Sequence, residues 1–100
     1  MRVGIGFDVH PFTEESPLYL GGIKIESDFG LQGHSDADVL IHALIDALLG
    51  AMGKGDIGEL FPDSDQKYKN IRSSKLLDTV VEIMFNNNYT LINTDLILLA

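Results

Sequence analysis

The stretch from His34 to Gly50 constrains this chain most. Val39, Leu40, Ile41, Ala43, Leu44, Ile45, Ala47, Leu48 and Leu49 make it apolar almost all round. Such a helix has to be buried on most of its surface. At about 100° per residue, Asp38, His42 and Asp46 stack into one polar stripe along it. Ser35 followed three residues later by Asp38 reads as a capping box, and Gly50 suits a left-handed stop, so the pattern predicts a helix running from Ser35 to Leu49. The stripe must then face a cleft or an interface. Unpaired carboxylates and an imidazole cost several kcal/mol there unless a metal or an ion-pair network compensates them. A polar seam facing water is the alternative.

Ahead of this helix, Arg2 to Pro11 alternates, with Val3, Ile5, Phe7 and Val9 on one side and Gly4, Gly6, Asp8 and His10 on the other. That period predicts a strand ended by Pro11, with Asp8 and His10 pointing the same way from its end. Leu18-Tyr19-Leu20 and Ile23-Lys24-Ile25 flank Gly21-Gly22, a two-residue hairpin signal. A polar loop from Glu26 to Gly33 then delivers His34 and Ser35 to the helix entrance, where outward amides could receive an anion.

After Gly50, Ala51 to Arg72 reads as a long irregular segment, glycine-bearing and acidic at Asp56, Glu59, Asp63 and Asp65, and loops of that length are usually functional. Ser73 reads as the cap of a second helix whose Leu76, Leu77, Val80, Val81, Met84 and Phe85 recur at helical spacing, with Asn86 to Asn88 ending it. Tyr89 to Ala100 reads as a last strand. Together these elements predict a single α+β domain over residues 1–100, a small mixed sheet with helices on one face.

The sequence has no cysteine, so a metal would be held by imidazole and carboxylate. Seven basic against fifteen acidic residues give a net charge of −8, which opposes nucleic-acid binding. No apolar run reaches the roughly 18 residues of a membrane span, and Met1 leads straight into the strand pattern with no targeting segment, which fits the cytosol.

All three histidines lie at element ends beside carboxylates. Asp8, His10 and His42 would offer two nitrogens and one oxygen from two rigid elements, a set that suits zinc with one coordination position open. Asp38 and Asp46 would be its outer partners, fixing the His42 ring. The residues by themselves lead to a metal site with an anion nearby.

Three motifs carry a resemblance: Gly-x-Gly-Phe-Asp-Val-His at Gly4 to His10, Gly-His-Ser-Asp-Ala-Asp-Val from Gly33, and Gly-Asp-Ile-Gly-x-Leu-Phe-Pro-Asp-x-Asp from Gly55 to Asp65. In this order they resemble the 2-C-methyl-D-erythritol 2,4-cyclodiphosphate synthase family of the non-mevalonate isoprenoid pathway. The resemblance implies a metal-dependent, bacterial-type, cytoplasmic phosphorus–oxygen lyase that cyclises 4-diphosphocytidyl-2-C-methyl-D-erythritol 2-phosphate with release of CMP, in a homotrimer with sites between subunits. It implies zinc on Asp8, His10 and His42, one ion per subunit, and a second divalent ion, Mg2+ or Mn2+, on the substrate diphosphate. His34 would assist catalytically and, with Ser35, contact phosphate. Substrate contacts would also come from Asp8, Val9, His10, Asp56, Ile57, Gly58 and Ala100, with Phe61, Pro62, Asp63, Ser64 and Asp65 forming a mobile flap. Members of that family continue past the position of Ala100 with a further strand and helix, so the resemblance makes residues 1–100 the N-terminal two-thirds of the family's domain. A zinc-dependent phosphoester hydrolase using Asp38, Asp46 or Asp65 as base, and a non-catalytic oligomerising domain, are the competing readings.

Overall fold

A computed structural model describes residues 1–99. Ala100, expected to touch substrate, lies outside the described residues. The fold is α+β, with two short antiparallel ladders and three helices. β1 (Phe12–Thr13) pairs with β4 (Gly30–Leu31), and β2 (Leu18–Leu20) pairs with β3 (Ile23–Ile25). The β2–β3 turn is Gly21-Gly22, with φ of 63° and 84°, a region that glycine enters without a Cβ penalty.

The central helix, α1, spans Val39–Met52, so both expected boundaries move. Asp38, and not Ser35, is its N-cap. Ala37 takes φ of 57°, which breaks the helical path between the two residues. The Asp38 carboxylate accepts from the Ile41 amide at 3.1 Å and from the Gly21 and Gly22 amides at 3.0 and 2.7 Å. This one fully buried side chain therefore caps α1 and pins the β2–β3 hairpin onto it. Gly50 stays helical, and Gly53, with φ of 69°, supplies the stop.

α2 (Ile57–Leu60) and a 3₁₀ turn (Gln66–Tyr68) give structure to the segment expected to be irregular. Two of its four acids serve as caps: Asp56 accepts from the Glu59 amide at 2.8 Å and Asp65 from the Lys67 amide at 3.1 Å. α3 (Ser73–Asn86) packs along α1, and Ile45, Leu49 and Val80 are completely buried between them, joined by Leu48, Met52, Phe61, Leu76 and Met84. Phe85, expected in that stripe, is exposed. The position before α3, Arg72, makes no side-chain cap, and Ser73 is the first helical residue rather than the cap.

The two expected terminal strands form no ladder among the described residues. Residues 1–11 lie against α1 through their glycine side: a Cβ on Gly4 would sit 1.9 Å from the Ala47 carbonyl oxygen, and one on Gly6 1.7 Å from that of Ala43. Their other side, Val3, Ile5, Phe7 and Val9, is exposed. Beyond α3, Leu91, Ile92 and Leu96 to Leu99 are exposed as well. Alternation describes which side chains share a face, whereas a ladder needs a neighbouring backbone, and neither segment meets one here.

Candidate metal centre

Two elements carry the central cluster. His42 sits one turn inside α1 and is 7% exposed. Asp8 and His10 stand two residues apart at the end of the N-terminal arm, on the side that lies against α1. His10 Nε2 is 3.0 Å from Asp8 Oδ2, His42 Nδ1 is 3.2 Å from the same oxygen, and the two nitrogens are 3.3 Å apart. The Gln32 carbonyl lies 2.8 Å from His10 Nδ1 and can only accept, so in the neutral ring Nδ1 holds the proton and Nε2 is bare.

This triangle fits a cation. Asp8 Oδ2 is buried, and with the two facing ring nitrogens bare it has no hydrogen-bond donor. Three acceptor atoms converging on one point repel one another unless a proton or a cation lies among them. Tetrahedral zinc with bonds of about 2.0–2.1 Å spaces its ligands by about 3.3–3.4 Å. The observed edges of 3.0–3.3 Å need little adjustment to reach that spacing. Without a metal, protons balance the charge. Burial pushes the Asp8 carboxyl up, but hydrogen bonding and positive charge from His10 and His42 outweigh it and hold it well below the usual carboxylate range. His10 is raised, chiefly by its hydrogen bond to Asp8 and against the effect of burial.

An open cleft of about 450 Å³ extends from the cluster. Of the residues expected to meet substrate, Asp8, His10, His34, Ser35, Ile57, Gly58, Phe61 and Asp63 line it. Val9 points to the exposed side of the arm. Asp56, Pro62, Ser64 and Asp65 stand off the cleft lining, and the carboxylates of Asp56 and Asp65 are taken up as caps. His34 Nε2 lies 3.0 Å from the Asp65 carbonyl oxygen, which ties the helix entrance to the expected flap. Phe61 is buried, edge-on to Tyr68 at 5.3 Å.

Two expectations fail at the helix entrance. The Asp38 and Asp46 carboxylates make no hydrogen bond to the His42 ring. Asp38 is engaged as the N-cap, and Asp46 accepts from the Ile57 amide at 2.8 Å, holding α2 in place. Of the amides at the α1 entrance, that of Ile41 is already bonded to Asp38. The neighbours of His42 Nε2 are instead Ser73 Oγ at 2.7 Å and Ser35 Oγ at 3.2 Å. Behind Ser73 stands Asp36, whose carboxylate accepts from the Ser73 hydroxyl and from its amide. Reading one helix at a time could not find this pair, because Asp36 and Ser73 are 37 positions apart in the chain.

Comparison with known proteins bears on the whole chain. A model of the YgbB family matches residues 1–100. The 2-C-methyl-D-erythritol 2,4-cyclodiphosphate synthase of Halothermothrix orenii is 55% identical over 100 residues, all of this chain and 61% of that protein. The synthase of the same name from Clostridium acetobutylicum is 56% identical, again over all of this chain and 64% of its own length. A solved structure of a 2C-methyl-D-erythritol-2,4-cyclodiphosphate synthase in a CDP-bound form superposes with a TM-score of 0.80 at 45% identity, covering 87% of this chain and 58% of that one. The chain thus spans less than two-thirds of the length of these relatives.

Proposed function

The chain belongs to the YgbB family, and on that premise we propose that it carries the metal-holding part of a cyclodiphosphate synthase. The reaction is the cyclisation of 4-diphosphocytidyl-2-C-methyl-D-erythritol 2-phosphate to 2-C-methyl-D-erythritol 2,4-cyclodiphosphate. In it the 2-phosphate attacks the β-phosphorus and CMP departs. The observation that carries this reading is the convergence of Asp8, His10 and His42 at the mouth of a cleft lined by His34 and Ser35.

Zinc on the three ligands would supply a Lewis acid and local positive charge for a polyanionic substrate, with a second divalent ion, Mg2+ or Mn2+, on the diphosphate. The chain's own residues then bind and orient. His34 and Ser35 contact phosphate, and the cleft faces of Ile57 and Gly58 receive the erythritol part. Asp56 holds α2 in register, and the segment from Phe61 to Asp65 covers the ligand. Phosphoryl transfer of this kind needs positioning and charge neutralisation more than a protein nucleophile. The working form is a cytoplasmic homotrimer with sites between subunits, in which the further length seen in the relatives completes the nucleotide side. No helix among the described residues is long and apolar enough to cross a membrane.

A hydrolase would need a free carboxylate as general base, and the carboxylates of Asp38, Asp46 and Asp65 are each bonded to backbone amides. The test follows both phosphorus and CMP. Phosphorus NMR of the protein incubated with substrate, zinc and Mg2+ is expected to show the cyclic diphosphate appearing in step with CMP, with both lost in His42→Ala. CMP without the cyclic product would overturn cyclisation in favour of hydrolysis. Absence of bound zinc on metal analysis, with an oligomer unaffected by chelator, would favour a purely structural domain.

A further inference from the structure

We propose that Ser73 and Asp36 are positioning residues for the metal site, fixing the protonation pattern of His42 so that its Nδ1 lone pair faces Asp8 and His10. The proposal rests on the metal reading above and concerns two residues outside the three metal-facing atoms: Ser73 meets the far nitrogen of the His42 ring, and Asp36 stands behind Ser73. Ser73 is completely buried, and the Asp36 side chain is 4% exposed. Asp36 is surrounded by donors. Its Oδ1 accepts from the Ser73 hydroxyl and, at 3.1 Å, from the Asp38 amide; its Oδ2 accepts from the Ser73 amide at 2.9 Å and faces Arg72 Nε at 3.4 Å. With donors facing both of its oxygens, Asp36 acts as the acceptor throughout, and the Ser73 hydroxyl is the donor of that pair.

The direction of the chain of hydrogen bonds follows. The single proton of Ser73 goes to Asp36, so the Ser73 oxygen, 2.7 Å from His42 Nε2, can only accept from it. Nε2 therefore holds the ring proton, and Nδ1 presents its lone pair to the cluster. Two acceptors compete for that one proton: Ser73 Oγ on one side of the ring, and Asp8 Oδ2, 3.2 Å from Nδ1, on the other. The Asp36–Ser73 pair tips the balance away from Asp8 and leaves the ligand atom bare. Ser35 is a weaker contender, at 3.2 Å from Nε2. Asp36 also ties the start of α3 to the entrance of α1, so the orientation of the ring is built into the packing of the two helices.

The experiment reads the metal-free and the zinc-bound protein separately. Long-range nitrogen–proton correlation NMR of histidine-labelled, metal-free protein near pH 8 reports which ring nitrogen of His42 is protonated. Competition with a chromophoric chelator reports zinc affinity. Wild type is expected as the Nε2–H form. Ser73→Ala and Asp36→Asn are expected to shift the proton toward Nδ1 and to weaken zinc binding by about 10–100-fold. Asp36→Asn keeps the volume and lets an amide donate to Ser73, turning the hydroxyl toward His42. Ser35→Ala is expected to leave the ring form unchanged. Circular dichroism checks that each variant is folded; if Ser73→Ala is not, Asp36→Asn decides. A zinc-binding wild type whose ring form and affinity are both unmoved in Asp36→Asn would overturn the proposal, as would Ser35→Ala moving the ring form as far. A wild type that holds the Nε2–H form and binds no zinc would overturn the metal reading itself.

Discussion

The helical half of the molecule and its two extended terminal segments obey different rules. Between α1 and α3 every large apolar side chain at the contact is covered, and the polar ones, Asp38, Ser73 and His42, all have partners. Along residues 1–11 the apolar side chains face solvent, and the glycine side is the one that approaches α1. The Asp8–His10–His42 cluster bridges the two regions: His42 belongs to the core, and Asp8 and His10 belong to the arm. A cation held there would join the arm to the core, so ligand geometry depends on how closely the arm lies on α1.

Gly6→Ala tests that dependence most severely. A Cβ there would lie 1.7 Å from the Ala43 carbonyl oxygen, and backbone cannot yield as a flexible side chain can, so the arm must lift. Two of the three ligands move with it. Zinc affinity is expected to fall by at least about 100-fold, beyond the range for losing an outer partner, while the melting of the α1–α3 core in the metal-free protein changes little. Retention of wild-type affinity, measured by chelator competition, would show that the arm and core are not coupled in this way.

How far the sequence reveals each region depends on how local its determinants are. The Gly21-Gly22 hairpin and the apolar positions of α1 and α3 are legible because turn preference and helical period are properties of neighbouring residues. The start of α1 is not. Ser35 and Asp38 are both good caps, and the choice goes to Asp38 because the Gly21 and Gly22 amides, 17 and 16 positions away, bond to it. The Asp36–Ser73 contact is non-local in the same sense. At the arm, alternation correctly sorts Asp8 and His10 from Val3 and Ile5, yet it implies a ladder that has no partner strand among the described residues.

Acidity gives the second test, with an effect of up to about tenfold in affinity per pH unit for each proton displaced. In the metal-free protein the raised His10 contributes stability that is fully present below its unfolded value of about 6.5 and is lost as pH rises through the higher folded value. The lowered Asp8 contributes stability above about pH 3.9, lost as pH falls through its folded value. Protons thus hold the arm best between about pH 4 and 6.5. Zinc needs the same nitrogens bare, and because His10 is raised, competition begins above the ordinary histidine range. Thermal melts from pH 5 to 8 are expected to show added zinc stabilising progressively more as pH rises. Zinc affinity that stays flat over that interval would contradict imidazole ligation.

The smallest effect belongs to the exposed side of the arm. Ile5 is 90% exposed and Ile45 is 0%. Ile45→Ala is expected to destabilise by about 2–5 kcal/mol, because it opens a cavity between α1 and α3. Ile5→Ser in dilute protein is expected to change stability by no more than about 0.5 kcal/mol, since little apolar area returns to water. Under the proposed homotrimer the two values should converge as protein concentration rises, because an apolar face covered by another copy is stabilised by mass action. Denaturant melts over a hundredfold range of concentration measure this directly. If Ile5→Ser destabilises by 2 kcal/mol or more at every concentration, the arm's apolar side is covered within a single chain and the distinction between the two regions fails. If the effect stays small throughout, the exposed side takes no part in assembly, and the trimer must form through another surface.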